Sequence, residues 1–355
     1  MTINELPKLS KIEMENLFKQ SKKRSKFFMF FTLLWAAFCI WQYFTTSNVS
    51  FKKSLFIFFC IALGLWFIII VGQLIIQQLI SVKLSEVKDA SIGNFTIQEV
   101  QSLVDEVFKV SLTNEKPELY IMNIEAVNAL AINIYLFNFI KPANAVYISK
   151  KSFNCMTKDE LKAMILHEMG HFNKYMYDEM KILNIGIFLF FLMPFAFTVL
   201  IPGFWLKFVF VVIVFILEGK IWSKIRNAKD YDNHVLEYLS DLYAAEKTGF
   251  LTSINMLITV AKESIVSDEK EKNKILLKIV QPVKRYMVDW TTFDTFIVNG
   301  KIEMEEYGKL IETLEKTENP QLVNDSVVDH NSKSHPSLTN RVLFLHGNSE
   351  SKNSQ

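Results

Sequence analysis

The sequence predicts an α-helical membrane protein with about four transmembrane helices and a cytoplasmic α+β domain whose two halves flank the second pair of spans. Three observations predict this. Hydrophobic residues make up 50% of the 355 residues and gather into four runs. Between the second and third runs, strand-like segments lead into a capped helix that carries an unusual His-Glu pattern. After the fourth run, a further helical stretch offers acidic side chains at helical spacing. The formal net charge of +2 leaves no global field that would draw nucleic acid or an acidic substrate. Cys39, Cys60 and Cys155 have no ligand or disulfide spacing and read as small apolar residues.

The spans come first. Phe27 to Ser50 and Ser54 to Val82 are uncharged, and each exceeds the roughly 20 residues that cross a bilayer. Ile182 to Leu206 is a third such run. The fourth, "FVFVVIVFIL" (Phe208 to Leu217), reaches span length only if Gly203 to Trp222 take part, with Lys207 and Lys220 snorkelling to the interface. Pro202-Gly203 is the expected turn between spans three and four. The leader "KLSKIEMENLFKQSKKRSK" holds seven Lys and Arg, which predicts a cytoplasmic amino terminus. Its length, and the missing small-x-small site after the first run, argue against a cleaved signal peptide.

These runs divide the chain into a basic leader (1–26), a first hairpin (27–82) and a first soluble half (83–181). A second hairpin (182–220), a second soluble half (221–346) and a polar tail (347–355), expected to be disordered, follow. In the first soluble half, "PELYIMNI", "ALAINIYLFNF" and "NAVYISKKSF" read as strands, with a turn at Lys141 to Asn144 before the third. Thr157 and Glu160 form a capping box that opens a helix from Lys158 to about Glu179.

That helix carries "HEMGH". Residues four apart on a helix lie about 40° apart around the axis and about 6 Å along it. His167 and His171 therefore share a face and can both direct a ring nitrogen to one zinc ion. Glu168, turned about 100° from His167, can take a proton from a metal-bound water but cannot easily chelate with both histidines. Independent placement would give HExxH about 0.007 times in a chain of this composition, so coincidence is a poor account within a single chain. Lys158, Asp159, Glu160, Lys162, Lys174 and Asp178 crowd the same helix, which keeps it out of lipid.

A third ligand is needed, and "HVLEYLSDLYAAEKTG" (His234 to Gly249) offers one. Glu237 and Asp241 share a helix face; Glu237 could ligate and Asp241 could hold the far nitrogen of a ligating histidine. His234 is a competing ligand, and a solvated acidic face is the plain alternative. Glu237 can reach His167 only if the chain crosses the bilayer an even number of times in between, so the weak fourth span and the metal site require each other.

Taken together, "HEMGH", "EYLSDLYAA" and "SHPSLTNRV" (Ser334 to Val342), in that order and with spans interposed, resemble the integral-membrane zinc metallopeptidases. That family includes the HtpX heat-shock proteases and the CAAX prenyl proteases. The resemblance covers roughly Asn128 to Val342 and is closer to HtpX-like members, since four spans are too few for the prenyl-protease chamber. It implies a zincin-like (gluzincin) domain with one zinc ion per chain, held by His167, His171 and Glu237. It also implies Glu168 as general base, Asp241 behind a ligating histidine, and His335 and Arg341 as stabilisers of the oxyanion. "VNALA", at Asn128 and Ala129, resembles the strand beside the family's cleft. Ser240 stands where the family usually has alanine, and His234 where an arginine is common.

The expectation is a multi-pass membrane endopeptidase whose active site faces the cytoplasm, with unfolded or damaged polypeptides as substrates. Ala145, Val146 and Tyr147 lie on the strand expected to form the substrate-binding edge. Two alternatives are a processing protease for prenylated C-termini and a non-catalytic zinc-binding scaffold. All the chemical positions are filled, which weighs against the scaffold.

Overall fold

A computed structural model of the chain describes residues 3–111, 118–124, 127–132, 145–171, 190–271, 287–317 and 336–353. The chain forms two compact units. One is assembled from Met1–Asn16, Ile80–Met176 and Asp230–Gln355, and the other from Leu17–Leu79 and Tyr177–Lys229.

The first unit is built on a four-stranded sheet. Its strands are β1 (Ser81–Lys83), β4 (Glu118–Met122), β5 (Ala129–Ile132) and β6 (Ala145–Ser149), in the order β1-β4-β6-β5. A separate small hairpin pairs β2 (Ser91–Ile92) with β3 (Phe95–Thr96). In the main sheet β4 and β6 run parallel, with Glu118 opposite Ala145, while β1–β4 and β5–β6 are antiparallel. Val146 and Ile148 of β6 are buried, as are Leu119 and Ile121 of β4, whereas Tyr120 and Tyr147 stack on the other face with ring centroids 4.8 Å apart. That period of two is what a sheet covered on one face requires.

The strand at Ala145 to Ser149 was expected at an edge. It is interior, hydrogen-bonded to β4 on one side and β5 on the other. Four of its five residues, Ala145, Val146, Ile148 and Ser149, are buried, and an edge position would leave backbone groups there without partners. Among the described residues β1 and β5 are the edges. Asn128 closes the start of β5, its carbonyl accepting from the Ser149 amide at 2.9 Å.

Helices cover the inner face. α3 (Ile97–Ser111) buries Val100, Leu103, Val104 and Val107, the i, i+3, i+4, i+7 stripe of an amphipathic helix. Each such side chain is worth about 1.5–3 kcal/mol when fully buried. A short helix, α4 (Ser152–Cys155), follows β6 where the sequence suggested that the strand would continue to Phe153. α5 (Lys158–Met169) starts at the reciprocal capping box of Thr157 and Glu160. It buries Leu161, Ala163, Met164, Ile165, Leu166 and Met169, so it is a core helix, packed against α3, β5, β6 and α8 (Phe250–Glu271). The remainder of the expected helix to Glu179, the strand beyond Ile132 and the turn before Ala145 lie outside the described residues.

Two terminal segments differ from expectation. The tail at 347–355 was expected to be disordered, yet α11 (Leu338–Asn353) runs through its described part. The leader supplies the reason. Its 3-10 helix Ile3–Lys8 packs on α11 and buries Leu6. Asn348 accepts from the Lys11 amide at 2.9 Å and donates to the Leu9 carbonyl at 3.3 Å. Lys11 also pairs with Glu246 at 2.6 Å. His346 is a half-buried member of α11 with its Nδ1 3.1 Å from the Tyr307 hydroxyl of α10 (Met304–Thr317). α9 (Met287–Asp294) completes this unit.

The second unit contains most of α1 (Lys11–Thr45) and α2 (Val49–Ile80), the apolar helix α6 (Phe190–Leu200) and the first part of α7 (Phe204–Thr248). Cys39, Phe51, Leu55, Ala62, Met193 and Ala196 form its core. Among the described residues two helices, Lys11–Thr45 and Val49–Ile68, are long and apolar enough to cross a membrane. The second apolar run was expected to reach Val82, but Ser81 and Val82 belong to β1, where they pair with Met122 and Ile121. Residues 182–189 of the third run lie outside the described residues. The fourth run is helical and leaves Phe208, Val209, Ile213 and Phe215 exposed, and Gly203 makes the preceding turn at φ +74°.

Candidate metal centre

All described residues of the centre belong to the first unit. α5 supplies His167 and Glu168, and His171 follows one turn later. α7 supplies Glu237 and Asp241, and α11 supplies Arg341. The α7 segment is held from both sides. Val235, Tyr238, Leu239, Leu242 and Ala244 are buried. Its last turns also satisfy the carbonyl end of α3, with the Tyr243 hydroxyl and the Lys247 ammonium each donating at 2.8 Å to Ser111 and Val110.

The two imidazoles meet the carboxylate with their Nε2 atoms. His167 Nε2 and His171 Nε2 are 3.1 Å apart, and each is 3.5 Å from an oxygen of Glu237. Metal–ligand bonds of about 2.0–2.1 Å in a tetrahedron separate ligand atoms by about 3.3–3.4 Å. The three groups therefore have the donor set and the mutual spacing of a zinc site, and they are the group among the described residues that could hold an ion. His234, the competing candidate, is buried one turn earlier on α7 and does not join that group.

Behind the ligands lies a charged relay. His167 Nδ1 is 2.9 Å from Asp241 Oδ1. Arg341 donates to both oxygens of that carboxylate, Nε to Oδ2 at 2.6 Å and Nη2 to Oδ1 at 2.5 Å, and Nη2 is 3.5 Å from Glu237. Resemblance suggested an oxyanion role for Arg341, whereas the structure engages its planar fork with Asp241 in the bidentate manner that suits a buried carboxylate. Burial alone would raise Asp241, but the Arg341 charge and hydrogen bonds outweigh it and hold the carboxyl below the usual range. Burial likewise pushes His167 down, yet the adjoining carboxylates of Asp241 and Glu237, which accept from the protonated ring and attract its charge, prevail and lift it to about 10. For His171 desolvation dominates, opposed only in part by Glu237, and pushes it down to about 4.

The helices can come this close because of one glycine. A Cβ on Gly170, the glycine of HEMGH, would lie 3.0 Å from Ser240 Cα and 3.1 Å from its Cβ and Oγ. The small Ser240 and the bare Gly170 thus let the two ligand-bearing helices touch backbone to backbone. In sequence Ser240 stood out only as a departure from the usual alanine and Gly170 carried no reading; the signal lay in their joint smallness at positions that face each other.

A family model for Peptidase family M48 matches residues 95–348. The chain belongs to peptidase family M48. The M48 match spans both halves of the sheet-and-helix unit and every described residue of the centre. It makes the chain a metallopeptidase, and M48 peptidases are zinc-dependent. No curated protein and no solved structure gives a significant match. His335, implied by resemblance, lies outside the described residues, and Glu168 is half-buried beside the ligand pair.

Proposed function

We propose that this M48 peptidase is a membrane-anchored zinc endopeptidase of the HtpX-like kind, cleaving unfolded or damaged membrane and cytoplasmic polypeptides. The observation that carries the reading is the convergence of His167, His171 and Glu237 from α5 and α7 at zinc-ligand spacing. When bound there, zinc supplies a Lewis acid and a water acidified to a pKa of roughly 7.

The protein's own groups do the rest. Glu168 takes a proton from the attacking water and returns it to the leaving amine. Asp241, fixed by Arg341, holds the His167 ring so that Nε2 points at the ion. An oxyanion role for His335, and for the donors of Arg341 beyond those on Asp241, rests on resemblance. An extended substrate adds to β5, which packs beside α5 and is an edge among the described residues.

The membrane part of the proposal is four spans with the site on the cytoplasmic side. The two long apolar helices support it, as does the belt of exposed Phe, Val and Ile on α7. His167 and Glu237 belong to one unit, so they lie on one side of any bilayer, which an even number of crossings between them satisfies. The basic leader supports the cytoplasm as that side. Four spans also favour the HtpX-like branch over removal of prenylated C-termini, and intact chemical positions disfavour a scaffold.

The test is Glu168→Gln in detergent-purified full chain. It should retain one zinc per chain and lose casein digestion by at least about a hundredfold. Digestion at the wild-type rate would remove Glu168 from the mechanism.

A further inference from the structure

One turn of α7 presents three groups to the two histidines, and only two of them have been given a task. Glu237 faces both Nε2 atoms, and Asp241 stands 2.9 Å from Nδ1 of His167. The third group is Ser240. Its Oγ lies 3.3 Å from Nδ1 of His171, and the residue is fully buried. The close approach of the Gly170 backbone to Ser240 sets the serine beside that ring.

An imidazole that gives Nε2 to a metal carries its proton on Nδ1, and that proton needs an acceptor when the ring is buried. His167 has a carboxylate for this. His171 has the serine hydroxyl, a neutral acceptor that the alanine usual at this position in related proteases cannot supply. We propose that Ser240 is a positioning residue for zinc, accepting the Nδ1 proton of His171 and fixing that ring's tautomer and orientation. The two ligand histidines are thus oriented by successive residues, one by a charged partner and one by a neutral partner. The inference rests on the zinc-site reading above.

The experiment uses full-length protein in detergent, stripped of metal and titrated with zinc against a chromogenic chelator. Ser240→Ala should weaken zinc binding by about 10–100-fold, the usual cost of losing such a partner, with the melting temperature of the metal-free protein unchanged. The visible absorption bands of the cobalt-loaded variant should shift, because the ligand field changes when the ring is free to turn. Wild-type affinity and an unshifted cobalt spectrum in Ser240→Ala would overturn the proposal while leaving the zinc site standing. A wild-type protein that takes up no zinc would end both readings.

Discussion

Replacing Gly170 with alanine tests the claim that the centre depends on how closely α5 and α7 approach. The added methyl group would sit 3.0 Å from the Cα of Ser240, where ordinary contact begins at 3.4 Å. A Cα cannot rotate aside, so the helices must part by about 0.4 Å. Overpacking of this kind costs about 1–3 kcal/mol, and the better helix propensity of alanine returns about 1 kcal/mol. The net loss of stability is therefore no more than about 2 kcal/mol, small enough for the protein to remain folded. The metal site is less tolerant. The same opening carries the 3.5 Å separations between Glu237 and the histidines to about 3.9 Å, while metal–ligand distances tolerate only about 0.2 Å. Zinc affinity should fall at least about tenfold, or about 1.4 kcal/mol, in a chelator competition titration. Gly347→Ala is the control, because a Cβ there meets nothing within 4 Å; it should bind zinc normally and melt slightly higher. If Gly170→Ala behaves like Gly347→Ala in both measurements, the close-approach argument is refuted.

Three further predictions follow from the same geometry. Arg341→Met strands the buried carboxylate of Asp241 and should destabilise the protein by about 3–5 kcal/mol in denaturant titrations; adding Asp241→Asn should recover part of that loss, and strict additivity would deny the coupling. Without metal, His167 is held protonated up to about 10 and His171 is neutral above about 4. Its raised value makes His167 stabilise the metal-free fold below its unfolded value of about 6.5, an advantage lost as pH rises through about 10. Zinc must displace that one proton, so affinity should rise about tenfold per pH unit between pH 6 and 8; calorimetry in buffers of different ionisation enthalpy should count one proton, and a count of zero or two would contradict the assignment. Leu6→Ala should cost about 2–4 kcal/mol because Leu6 is fully buried under α11, whereas a purely solvated leader would show no change in melting temperature.

Much of this protein was legible in its sequence because the governing interactions are local. A capping box, a four-residue helical interval and an uncharged run of span length each involve neighbours along the chain, so Thr157–Glu160 and the shared face of His167 and His171 could be read directly. Glu237 and Asp241 could be proposed on the same ground, since one helical turn separates them.

What the tertiary structure alone decided concerns partners distant in sequence. The strand at Ala145–Ser149 lies inside the sheet because two earlier segments, β4 and β5, pair with it on opposite sides, which no periodicity reveals. The tail forms a helix because the leader, more than three hundred residues away, gives it an apolar and hydrogen-bonded partner. Arg341 takes hold of Asp241 across a hundred residues, and Ser240 faces His171 only because Gly170 lets two backbones touch. A sequence determines which side chains can meet along one element; packing between elements decides which of them do.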